Sequence, residues 1–167
     1  MKNIKTRKIR SNVTIDEYLK LCQDELSIEE YYAFEIKRVD KLAKIKSIEW
    51  IEILKEQSVK CYYCRTDLRI IQQLIINKII KPRKRGPDGY SGLHFELDHK
   101  NADKNDNRRV NLVASCYYCN NDKSDTFSSE LFKNYFGAFK YHAFDKLFED
   151  KKILTTDKYR HNLKGKI

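Results

Sequence analysis

No stretch of this chain is apolar enough to cross a membrane. Its basic opening, MKNIKTRKIR, runs into no apolar segment of the kind a secretory signal needs. The reading is therefore a cytoplasmic protein with no membrane partner. Internal repeats and low-complexity tracts are also missing. Proline and glycine are scarce, with two prolines and five glycines in 167 residues. Both prolines and three of the glycines fall between positions 82 and 92, so PRKRGPDGYSG reads as a loop with a turn at Asp88-Gly89. Acid is the scarcer charge: 24 Asp+Glu stand against 34 Lys+Arg, a formal net charge of +10. Such an excess points to a polyanionic partner, of which nucleic acid is the commonest.

What is present argues for one folded domain over 1–167. Hydrophobic residues make up 41% of the chain, and its length allows one real core but not two comfortable ones. The basic residues gather at 1–10, at 78–85 (KIIKPRKR) and at 151–167. Two basic tails and a basic central loop suit phosphate neutralisation.

The first part, 1–59, reads as helical behind its basic tail. Thr14 and Glu17 form a capping box with Val13 and Tyr18 as a staple. Ser27 and Glu30 repeat the device with Leu26 and Tyr31. A further helix is expected from Ile48 to about Glu56, with Trp50, Ile51 and Leu54 on one face. Residues 67–80 (DLRIIQQLIINKII) predict a helical insert that Pro82 stops. Leu93 to Leu97 alternates as a short strand, 100–109 is a polar loop, and Val110 to Ala114 a second strand. A helix is expected from Cys116 or Tyr117. Residues 129–149 and the basic tail after them form a C-terminal helical part, 127–167. The fold class is α+β and mostly helical.

Five cysteines in a reducing compartment favour metal ligation over disulfides. Cys61-Tyr-Tyr-Cys64 and Cys116-Tyr-Tyr-Cys119 are two CxxC pairs. Each can offer two thiolates from a tight turn, and together they complete a tetrahedron suited to Zn2+. A closed four-ligand shell makes that zinc structural. Cys22, on a predicted helix, reads as a small buried apolar residue.

Asp98-His99 ends the first strand, Asn111-Leu112 opens the second, and Asn120 follows Cys119 directly. The string FELDHKNADKNDNRRVNLVASCYYCNNDKSD resembles the HNH, or ββα-metal, nuclease motif over roughly 93–126, with Cys61 and Cys64 as the outlying half of its zinc knuckle. The resemblance implies a zinc-stabilised nuclease core at 60–126, centred on a short hairpin and a helix. It implies Asp98 and Asn120 as ligands of a catalytic divalent metal and His99 as the general base that activates water. An unperturbed imidazole, with a pKa of ~6.5, suits that task. Asn111 would hold the loop that orients His99, and Lys123, a helical turn after Asn120, would contact a phosphate backbone. Many relatives carry His where this chain has Asn120. Two hard oxygen ligands favour Mg2+, with Mn2+ as a substitute, over Zn2+ or Ni2+.

Lys100, Arg108 and Arg109 in the polar loop, and Arg83, Lys84 and Arg85 beside the prolines, are candidate phosphate or groove contacts. The expected activity is hydrolysis of phosphodiesters in DNA, double-stranded by expectation. A homodimer follows if both strands are to be broken by one site per chain. A zinc-held nucleic-acid-binding module without catalysis, or a subunit of a larger complex with a protein partner, are the competing readings.

Overall fold

The computed structural model of the protein describes residues 27–39, 45–84 and 90–150. The capping box at Thr14, Cys22, Arg85 and both basic tails lie outside these residues. The order is α1 (Ile28–Val39), α2 (Ser47–Glu56), α3 (Leu68–Ile76), β1 (Arg83–Lys84), β2 (Tyr90–Ser91), β3 (Glu96–His99), β4 (Leu112–Ser115), α4 (Tyr117–Lys123), α5 (Ser129–Phe132) and α6 (Ala138–Asp150). It is a mostly helical α+β arrangement with two small antiparallel sheets, β1 with β2 and β3 with β4. No helix among the described residues is long and apolar enough to cross a membrane.

The capping box at Ser27 forms as a reciprocal pair. The Ser27 amide donates to Glu30 Oε2 at 2.7 Å, and the Glu30 amide donates to Ser27 Oγ at 3.2 Å. Helix α2 buries Trp50, Ile51, Ile53 and Leu54, each worth roughly 1.5–3 kcal/mol out of water. The Trp50 indole donates to the buried Glu35 of α1 at 2.8 Å, so the one polar atom of that ring is satisfied. Gln57, just past α2, bonds β4 on both sides of Ala114: its Nε2 donates to the Ala114 carbonyl and its Oε1 accepts from the Ala114 amide.

Four elements differ from the sequence expectation. Helix α3 stops at Ile76, well before Pro82. The Asn77 side chain donates to the Gln73 carbonyl, and Lys78 turns the backbone left-handed at φ 58°. The strands sit two to three residues later than the alternation implies. Leu93 and Phe95 are buried in the lead-in to β3, while Arg109–Asn111 forms a 3-10 turn ahead of β4. That turn leaves Val110 71% exposed, so it cannot belong to a covered strand. The stretch 129–149 is helical but contains a π-helical turn, Lys133–Gly137, between α5 and α6. Gly137 allows a close approach there: a Cβ at this position would lie 2.4 Å from the Tyr63 carbonyl oxygen.

Candidate functional site

Two different local structures bring four thiols together. Around Cys61 the chain closes a tight turn. The Cys61 amide donates to Thr66 O at 3.0 Å, the Arg65 amide returns to Cys61 O at 2.9 Å, and Arg65 adopts φ 60°. Cys116 caps α4 and Cys119 lies in its first turn. The Cys116 amide donates across to Cys61 Sγ at 3.3 Å. All four cysteines are buried, and their sulfurs lie within 4.8 Å of one another. None is in a disulfide. Burial pushes the Cys61 thiol up, but hydrogen bonds from the other three thiols outweigh it and hold Cys61 well below the usual thiol range. Burial pushes Cys116 well above that range, and its sulfur neighbours push the same way. Thiols this crowded cannot all ionise unless a cation joins them. The cluster could hold a metal ion such as zinc.

The hairpin beside the cluster presents Asp98. Register pairs Glu96 with Ser115 and Asp98 with Val113. Strand alternation puts Glu96 and Asp98 on one face, and α4 packs over that face. Asn120 Nδ2 donates to Glu96 Oε2 at 2.8 Å, and one turn later Lys123 Nζ lies 3.3 Å from Asp98 Oδ2. The Tyr63 hydroxyl donates to the same oxygen at 2.6 Å. Burial and the Asp98 charge push the Tyr63 phenol far above its ordinary range, so it stays a donor. Asp98 Oδ1 accepts no side-chain hydrogen bond among the described residues, and a tenth of the side chain remains exposed.

Lys123 is not on the surface where a phosphate contact was expected. It is fully buried, and its ammonium also donates to the carbonyls of His99 (3.3 Å) and Ser124 (3.2 Å). A lysine so enclosed persists because its charge is paired. The structure therefore makes it an internal counter-ion of Asp98.

His99 is buried at the end of β3, and its ring reaches the polar loop. Its Nε2 lies 3.0 Å from Asn107 Oδ1. With the amide oxygen toward the ring, Nε2 donates and Nδ1 of the neutral imidazole is left as acceptor. The loop itself is laced through Asn111, which is 6% exposed. Asn111 Nδ2 donates to Asn101 Oδ1 and to the Asp106 carbonyl, both at 2.8 Å, and Asn111 Oδ1 accepts the Asn101 amide at 3.0 Å.

The loop cations are mostly committed. Arg108 grips Asp106 with two bonds of 2.7 Å, which hold the Asp106 carboxyl below the usual carboxylate range. Arg109 pairs with Glu56 of α2. Lys100 stands 5.9 Å over the Tyr62 ring, and Lys133 shares that ring at 4.2 Å. Arg83 and Lys84 lie on β1, with Arg85 beyond the described residues. Tyr63, Glu96 and Asn107 join the site without having been singled out in the sequence. Of these only Glu96 carried a signal, two residues before Asp98 on an alternating strand. Compared with known proteins, the chain matches no family model, no curated protein and no solved structure.

Proposed function

We propose that this protein is a metal-dependent endonuclease of the HNH, ββα-metal type that hydrolyses DNA phosphodiesters in the cytoplasm, with a structural zinc in its four-cysteine cluster. One observation carries the reading. Helix α4, anchored by Cys116 and Cys119, lays Asn120 and Lys123 over the face of β3 that bears Glu96 and Asp98. The residues fit a hard divalent cation. Among the described residues Asp98 keeps Oδ1 clear of side-chain hydrogen bonds, and Glu96 engages the nitrogen of the Asn120 amide, leaving its oxygen. Asp98 and Asn120 would hold Mg2+, or Mn2+ in its place. Bound there, the cation would supply charge stabilisation at the phosphate and the leaving oxygen.

The chain's own groups do the rest. His99 Nδ1 takes the proton of the attacking water while Asn107 fixes the ring through Nε2. Asn111 acts at one remove by pinning Asn101 and Asp106, the frame of the loop that carries Asn107. Lys100 and Lys133, gathered at Tyr62, face the phosphate backbone. One site per chain cuts one strand, so breaking both requires a homodimer.

A second reading, a zinc-held DNA-binding module without catalysis, draws on the Lys123–Asp98 pair, which already gives the carboxylate a cation. Plasmid incubation with Mg2+ or with EDTA separates the two. Nicking or linearisation that EDTA abolishes supports the enzyme. Retarded but intact plasmid in Mg2+ supports the binding module and contradicts the enzyme.

A further inference from the structure

Tyr63 lies inside the first cysteine pair, yet its hydroxyl ends on Asp98. The ring is 2% exposed and meets Tyr62 and Phe132 edge-on, with centroids 5.1 and 5.4 Å away. Gly137 closes over its carbonyl so tightly that no Cβ fits between them. The hydroxyl donates to Asp98 Oδ2 at 2.6 Å and accepts from Ser129 Oγ at 3.4 Å. A side chain held at backbone, ring and hydroxyl cannot re-aim without moving the turn that carries Cys61 and Cys64. Lys123 reaches the same carboxylate oxygen, so both contacts fall on Oδ2 and, among the described residues, leave Oδ1 without a side-chain partner.

We propose that Tyr63 is a positioning residue that couples the two metal sites: the cysteine turn sets the place of its hydroxyl, and the hydroxyl decides which Asp98 oxygen meets the divalent cation. The proposal rests on the reading of Asp98 as a metal ligand. It makes filling of the cysteine cluster and filling of the Asp98 site thermodynamically linked, because residues 61–64 serve both. Lys123 cannot replace the tyrosine in this role, because a cation on Oδ2 competes for the carboxylate's charge whereas a neutral hydroxyl only orients it.

The test is titration of the zinc-loaded full chain with Mn2+, read by electron paramagnetic resonance. Wild type is expected to bind one Mn2+ that the Asp98→Ala protein does not. If no such ion is found, the metal-site reading fails and the Tyr63 proposal falls with it. Where that ion is present, Tyr63→Phe is expected to weaken it about tenfold while keeping full zinc content and a cooperative melt. A purely structural tyrosine would lower the melting temperature and leave Mn2+ affinity of the folded protein unchanged, and that result overturns the proposal. If Tyr63→Phe takes up no zinc, the wild-type protein decides. With carbon-13 tyrosine, one Cζ signal among the 11 tyrosines should move as Mg2+ fills the site, and none should move in Asp98→Ala. No moving signal in wild type overturns the proposal as well.

Discussion

The chain writes Cys-Tyr-Tyr-Cys twice and folds it in two ways. At 61–64 the four residues make a turn, closed by the Lys60–Asp67 bridge and the left-handed Arg65. At 116–119 they enter α4, with the Asn120 amide bonded to the Cys116 carbonyl at 3.0 Å. The tyrosines diverge accordingly. Tyr63 points inward to Asp98, Tyr118 reaches the Lys81 carbonyl at 3.2 Å, and Tyr117 bonds Asn121 on its own helix. Four identical letters therefore carry the thiol spacing but not the backbone, which the flanking residues decide. The comparison also assigns different work to the two copies: both would hold the metal, and only the first touches the carboxylate.

The largest expected effect treats the copies alike. Cys61→Ser and Cys116→Ser should each abolish metal retention and cooperative unfolding, because a structural zinc site contributes on the order of 10 kcal/mol, as much as a whole domain's net stability. Native mass spectrometry and a thermal melt check this. A variant that keeps stoichiometric zinc and a wild-type melt breaks the equivalence. Next is Lys123→Met, which leaves the buried Asp98 without its cation and should cost about 3–5 kcal/mol by urea unfolding. A loss under about 1 kcal/mol would mean that the pair behaves as an exposed one.

Smaller effects separate the copies. Gly137→Ala drives a methyl into the Tyr63 carbonyl and should cost about 1–3 kcal/mol in a melt, whereas the glycine beside the second pair, Gly92, faces the Tyr118 side chain and not its backbone. Tyr118→Phe loses one hydroxyl bond in a half-buried place, so about 1 kcal/mol or less is expected, with cleavage unchanged. A loss of Mn2+ affinity in Tyr118→Phe as deep as that expected of Tyr63→Phe would erase the distinction between the copies.

Several features were legible in advance for physical reasons. The capping box at Ser27, the start of α4 after Cys116 and the convergence of the two CxxC pairs all follow from local chemistry at fixed spacing. What stayed hidden depends on distant partners. Nothing around Lys123 says that its ammonium will meet Asp98 inside the protein, and an isolated lysine is ordinarily read as exposed. The alternation of Leu93 to Leu97 is real, but Leu93 and Phe95 spend it on core packing ahead of the paired strand. Asn111 was expected to open a strand, whereas its side chain is committed to Asn101 and Asp106, and pairing begins one residue later at Leu112. Tyr63 could not be told from its three equivalents by sequence, since only the turn at Arg65 aims it.

The most direct test of the account is single-turnover cleavage of a labelled DNA duplex in Mg2+ by zinc-loaded wild type, His99→Ala and Asp98→Ala proteins. Wild type is expected to cut and both variants to lose at least about a hundredfold in rate, with zinc content and DNA binding intact. Equal rates in all three proteins, or binding by folded, zinc-loaded wild type with no cutting at all, would contradict it.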